Sequence, residues 1–245
     1  MDRMIYLSMS GAKAAMERQE VLTHNLANAN TTGFREELAA HRAVPVRGDG
    51  ASTRVYALET TVGYKPDAGH VVPTGRNLDV AMKGRSWLTV QGLDGTEAYT
   101  RNGALDVNAE GVLVTRNGLQ VMGDGGPITV PANAAVQIGG DGTVSATLPG
   151  QRPQAIGRLK LVTPEADTQL SRGTDGLFRA ADGDLPADAT ARLQDGALEG
   201  SNVSPVETMI GMITAARQFE HQMKLITTSE RQEQVAAKLL SASGM

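Results

Sequence analysis

Apolar residues recur at helical spacing at the two ends of the chain. Met209, Met212, Ala216, Phe219, Met223 and Ile226 are separated by 3, 4, 3, 4 and 3 residues, the a/d pattern of a seam that packs against another helix. Ile210, Ile213 and Leu225 fall outside that seam, which gives the same helix a second possible apolar surface. The start of this helix is marked. Ser204 suits the N-cap, Pro205 the first helical position, and Glu207 can reach back to close a capping box. From there to Leu240 only Gly211 interrupts. At the other end Ile5, Met9, Ala12 and Met16 step by 4, 3 and 4, and Leu26 falls on the same register. Gln19 and Thr23 break that seam. The helix should stop within Asn25–Phe34, because Asn and Gly accept the left-handed conformation that ends helices and Thr31-Thr32 is a poor helix former.

Between these helices the pattern changes. Glu36–Ala40 could prolong the first helix by a turn, and Val44-Pro45-Val46-Arg47-Gly48-Asp49-Gly50 then breaks it. Residues 35–62 read as an extended connector. Beyond it, short β-rich runs alternate with turn pairs: Leu78–Met82, Trp87–Val90, Gly111–Thr115, Leu119–Met122, Ile128–Val130 and Val136–Ile138. The pairs are Asp94-Gly95, Asn102-Gly103, Asn117-Gly118, Asp124-Gly125, Asp141-Gly142 and Asp182-Gly183, which suit tight hairpins. Of 28 glycines, 24 lie between residues 35 and 200. Thr100-Arg-Asn-Gly103 recurs as Thr115-Arg-Asn-Gly118, which reads as two similar hairpin corners. Ile156–Val162 reads as a strand, Arg172–Phe178 as a hairpin corner, Asp182–Thr190 as a surface loop, and Gln194–Val203 as an extended return. The expected fold is α+β: long terminal helices forming a coiled-coil-like layer, with a central all-β domain, sandwich or open barrel. The boundaries expected are 1–34, 35–62, 63–200 and 201–245.

Composition narrows the function. The net charge is −4 with no basic patch, which disfavours nucleic acid. There are no cysteines, so neither a disulfide framework nor a thiolate metal site is expected. Aromatics are only 3% of the chain, which points to thin sheet layers rather than a deep pocket. Asp2, Arg3, Lys13, Glu17 and Arg18 leave no apolar run for a secretory signal or a membrane anchor. Composition alone therefore suggests the cytoplasm.

No catalytic, cofactor-binding or metal constellation is evident. His24, His41, His70 and His221 lack ligand spacing and read as ordinary helix or loop residues. Ser10 and Ser86 lack a nucleophile-elbow setting. Gly123–Gly126 and Gly139–Gly142 precede neither a helix nor a Lys-Ser/Thr pair, so they read as turns rather than phosphate loops. The terminal helices could be ordinary core helices, but geometry weighs against that. A helix from Pro205 to Leu240 would be about 54 Å long, while a small domain is about 30 Å across. Part of it must protrude, so its seam needs partners.

Three motifs then carry a resemblance. Asn25-Leu-Ala-Asn28-x-Asn30-Thr-x-Gly33-Phe34, Leu78-Asp-Val-Ala with Tyr99-Thr-Arg-Asn-Gly103, and Leu198-Glu-Gly-Ser-Asn-Val203 followed by Met209, Ile213, Arg217, Phe219-Glu220 and Lys224 resemble the signatures of bacterial flagellar rod and hook proteins. Met1–Tyr6 and Arg42–Val46 look most like proximal-rod members. Asn30-Thr-Thr departs from the usual Ser-Thr without removing the helix stop. The resemblance implies a structural, non-enzymatic subunit whose terminal helices pair and stack at the centre of an axial rod, with β domains outside. It implies export, unfolded and without a cleaved signal, through the flagellar type III apparatus, and a place in the basal body across the periplasm. That replaces the cytoplasmic reading. The partners implied are proximal and distal rod subunits and further copies of this chain, with no nucleic acid, membrane insertion, cofactor or small-molecule substrate. Subunit contacts are expected at Ile5, Met9, Ala12, Met16, Leu22, Leu26, Asn28 and Phe34, and at Met209, Met212, Ile213, Ala216, Phe219, Met223 and Ile226. Phe219→Asp should then block assembly and spare the β body. A cell-envelope hydrolase and a β-rich fibre are the competing classes; the terminal signatures oppose the second.

Overall fold

Where Ser204 and Pro205 signal a helix, one begins. In a computed structural model, which describes residues 2–45, 55–165, 168–181 and 183–242, the C-terminal helix α2 runs Pro205–Ala242. Its 38 residues span about 57 Å. The N-terminal helix α1 spans Asp2–Ala27 and gives way to turns over residues 28–30. The chain is α+β, with a helix at each end and many short strands between. The break expected at Val46–Gly50, and Asp182 of the Asp182-Gly183 pair, lie outside the described residues.

Two compact units result. One comprises residues 1–29, 36–65 and 203–245; the other, residues 30–35 and 66–202. In the first, α1 and α2 run antiparallel. A Cβ at Gly11 would fall 2.8 Å from Gln222, and one at Gly211 would fall 3.2 Å from Leu22. Small and polar side chains make this approach possible: Ser8, Ala12 and Ala15 on α1 and Thr208 and Ala215 on α2 are buried. The same unit holds an antiparallel ribbon of β1 (Glu37–Pro45) and β2 (Val55–Tyr64), with a bulge between Leu38 and Ala40. Glu36–Ala40 thus does not extend α1. The buried Asn25 amide both donates to the Glu37 carbonyl and accepts from its N–H, each at 2.9 Å. That seats the segment as extended chain, because it satisfies backbone groups a further helical turn would have used.

The second unit is built of strands. A five-stranded antiparallel sheet has the order Leu161–Val162, Trp87–Gln91, Glu97–Thr100, Phe178–Ala180, Leu170–Arg172. A three-stranded sheet joins Ala135–Ile138, Thr143–Thr147 and Gln154–Arg158. Two-stranded pairs complete it, including Val80–Met82 with Leu193–Asp195 and Val71–Pro73 with Ala197–Glu199. Val80, Leu88, Val90, Leu105, Leu113, Val121, Val144 and Leu161 form the core. Ile156–Val162 is not one strand; it divides at Leu159, whose buried side chain and backbone bond to Gly142 turn the chain into the second sheet.

The two Thr-Arg-Asn-Gly corners differ. Gly118 sits at φ +83° in a true turn. Gly103 does not, because it packs against the chain: a Cβ there would fall 1.7 Å from the Val80 carbonyl. Near it, buried Tyr99 donates to Glu97 at 3.1 Å and accepts from the Leu185 N–H at 2.7 Å. Burial first, and the Glu97 carboxylate second, push its hydroxyl up to about 12 against the opposing Leu185 bond. An acid held protonated when folded stabilises the fold fully below its unfolded pKa, near 10, and loses that contribution as pH rises towards 12. Thermal melts of the β unit should therefore fall steeply across that window, and Tyr99→Phe should remove this part of the slope. An unchanged slope would show that Tyr99 is not the titrating group.

Candidate assembly interface

The expected seam on α2 is split by the helix pair. Met212, Phe219 and Ile226 are half-buried, on the side where Ala215 is wholly buried and Gly211 and Gln222 meet α1. Met209 and Met223 remain 50% and 41% exposed, and Ala216 is half-buried beside them. Ile213 is 55% exposed, and Val206, Ile210, Leu225 and Val235 are exposed as well. Closing on α1 thus leaves α2 with a broad uncovered apolar face. The α1 positions divide similarly. Ala12 is buried and Ile5 and Leu26 are half-buried; Leu22 is half-buried over Gly211; Met9 and Met16 are exposed. Asn28 donates from Nδ2 to the His24 carbonyl at 2.9 Å and so closes the helix end. Phe34 lies elsewhere. It is buried in the β unit, 4.3 Å beneath the Arg172 guanidinium.

Phe34 borders a feature the sequence pattern did not single out. Arg35, Arg101 and Glu199 are all buried. The Glu199 carboxylate accepts from Arg35 Nη2 at 2.8 Å, from Arg101 Nε at 2.9 Å and from the Gly69 N–H at 3.0 Å. Arg101 Nη2 also bonds Glu199, and its remaining donors go to the carbonyls of Met82, Gly84 and Ser86. Arg35 Nη1 donates to the Asp67 carbonyl. Backbone bonds close the same point: Gly33 N–H to Glu199 O and Gly200 N–H to His70 O, both 2.8 Å. Three glycines permit the approach. A Cβ on Gly33 would lie 2.3 Å from the Arg101 carbonyl carbon, on Gly69 2.0 Å from the Gly200 oxygen, and on Gly200 2.6 Å from the His70 ring. Trp87, Phe178, Arg172 and Phe34 stack alongside, with Trp87 and Phe178 centroids 4.7 Å apart.

Among the described residues no group of three His, Asp or Glu side chains could hold a metal ion, and no helix is long and apolar enough to cross a membrane.

Three family models match the chain in order. They are described as a flagella basal body rod protein over residues 5–35, the flagellar hook protein FlgE/F/G D1 domain over 81–146, and the flagellar basal body rod FlgEFG protein C-terminal over 194–239. A flagellar basal-body rod protein FlgF of Salmonella typhimurium is 46% identical over 253 residues, covering 99% of this chain and 100% of the relative. The chain belongs to the flagellar basal-body rod protein family. It is a structural subunit of the basal-body rod and not an enzyme. FlgF of Caulobacter vibrioides is 33% identical over 247 residues, covering 98% of each chain, and FlgG of Bacillus subtilis 32% over 252, covering 93% and 95%. Arg35, Arg101 and Glu199 fall one in each matched segment. The rod subunit therefore brings its three family signatures together at one buried ion cluster. The sequence offered a signal, two arginines and one glutamate inside or beside the quoted motifs, but nothing to pair residues 98 apart.

Proposed function

We propose that this rod subunit polymerises through its terminal helices into the proximal rod, the axial shaft that crosses the periplasm. The observation that carries the reading is the uncovered apolar face of α2, centred on Met209, Ile213 and Met223, which remains after α1 has packed. Exposed apolar surface of this extent marks an interaction site. Neighbouring rod subunits, proximal, distal and identical, cover it and extend the helix pair into a coiled-coil-like layer. The 46% identity to a FlgF, against 32% to a FlgG, favours the proximal over the distal rod. The subunit reaches its place unfolded through the type III export apparatus and without a cleaved signal. The β unit, where Leu88 and Val90 share one core with Ile138 and Val144, is a sandwich or open barrel in this reading.

Ile213→Asp tests this. The side chain is more than half exposed, so the isolated variant should fold and melt like the parent. In an assembled rod the same carboxylate is buried without a partner, which costs several kcal/mol, on the order of 3–5, at every subunit. The variant should be exported yet absent from purified basal bodies. Normal incorporation would remove this face from the assembly mechanism.

A further inference from the structure

The buried ion cluster gathers the chain segments by which the β unit is entered and left. Residues 30–35 follow α1, residues 66–70 follow β2, and residues 199–202 precede α2. All three meet on Glu199 and its neighbours: Gly33 and Arg35 from the first, Asp67 and Gly69 from the second, Glu199 and Asn202 from the third. Asn202 adds an Nδ2 bond to the Asp67 carbonyl at 2.9 Å and a backbone bond to Phe34. We propose that this cluster is a latch that holds the pairing of α1 with α2 from a distance, by fixing the two chain ends that lead into them.

The argument is one of loop closure. Without the latch, the strand pair of Val71–Pro73 with Ala197–Glu199 still joins the second and third segments, so α1 and α2 meet through residues 28–70 and 200–204, about fifty residues. With Gly33 fixed to Glu199, the effective connection shrinks to about twelve residues, those from Ala27 to Gly33 and from Glu199 to Pro205. The probability of meeting scales as the −3/2 power of loop length, so the latch raises it on the order of 8-fold. Glu199 is suited to this role because its carboxylate accepts from both Arg35 and Arg101 and from the Gly69 N–H. Removing its charge leaves Arg35 and Arg101 buried and opposed and weakens the direct ties of Glu199 to Arg35 and to the Gly69 N–H, leaving the side-chain bonds of Arg35 and Asn202 to the Asp67 carbonyl. The helix pair is the kind of element that gains from such help: its closest approach is at Ser8, Gly11, Ala12, Ala15, Gly211 and Ala215, and its larger apolar side chains, Leu22, Met212, Phe219 and Ile226, are only half-buried.

The test uses the full chain and amide hydrogen exchange. In Glu199→Gln the amides of Gly33 and Gly69 should lose protection. Those of residues 11–22 and 211–222 should lose up to about 8-fold, while the hairpin of residues 135–147 keeps its own. If Glu199→Gln does not fold, Arg35→Lys serves: a compact ammonium lacks the planar fork by which Arg35 spans the Asp67 carbonyl with Nη1 and the Glu199 carboxylate with Nη2, so the same pattern should appear in smaller size. Helix amides that stay protected while Gly33 and Gly69 open would overturn the proposal. So would parallel loss in the 135–147 hairpin, which would make the cluster an ordinary part of one core. Unchanged Gly33 and Gly69 in both variants would also overturn it, because Glu199 would then not be what holds the segments.

Discussion

Arg101→Met should destabilise the β unit by about 3–5 kcal/mol, the usual cost of breaking a buried ion pair from one side. Every donor group of Arg101 is used. Nε and Nη2 bond the Glu199 carboxylate, Nη1 serves the carbonyls of Gly84 and Ser86, and Nη2 also serves Met82. Methionine fills similar space and supplies none of these. It would leave three carbonyls short of a donor and Glu199 dependent on Arg35 alone. Lysine does not rescue, since a single ammonium cannot fork across four acceptors. Urea unfolding followed by Trp87 fluorescence reads the effect directly, because this sole tryptophan is buried with its ring centroid 5.9 Å from the Arg101 guanidinium. A loss below about 1 kcal/mol, no more than one ordinary hydrogen bond, would show that the cluster is structurally idle.

The two terminal helices were legible because their signals are local: an N-cap, a proline at the first helical position, and apolar residues three and four apart. Turns at Asp94-Gly95, Asn117-Gly118 and Asp141-Gly142 were legible for the same reason, with Gly95, Gly118 and Gly142 all at positive φ. What failed to show were features that depend on a distant partner. Asn102-Gly103 carries the same letters as Asn117-Gly118, yet Gly103 is there so that the backbone can lie against Val80. Glu36–Ala40 has helical composition and is a strand because Asn25 holds Glu37 by both backbone groups. The heptad pattern on α2 is a spacing, and spacing does not say which positions a helix inside the same chain will take. The small residues Gly211 and Ala215, outside that seam, decide it by letting α1 come close. Phe34 reads as part of a helix-end motif; the guanidinium that covers its ring belongs to Arg172, far along the chain.

That split of the seam gives a second large effect, and it separates two substitutions that the spacing alone treats alike. Phe219→Asp should open the helix pair in the isolated subunit, whereas Met223→Asp should not. Phe219 is half-buried on the side of α2 that carries Ala215 and Gln222 towards α1. Met223, one turn on, is 41% exposed on the other flank. Losing a fully buried Phe costs about 3–5 kcal/mol, so a half-buried one should cost roughly 2, before the added penalty of desolvating a carboxylate. A helix pair seated on small residues has little surplus to absorb this. Far-UV circular dichroism should show lost helix in Phe219→Asp alone, and limited proteolysis should cut its α2 faster than that of the parent. The Trp87 transition of the β unit should remain where it was in both variants. Neither should enter the rod, but for different reasons: the first no longer presents a paired helix, and the second presents one whose outer face carries a charge. Equal helicity in the two would place Phe219 on the outer face as well. The division of the seam between the chain itself and its neighbours would then be lost.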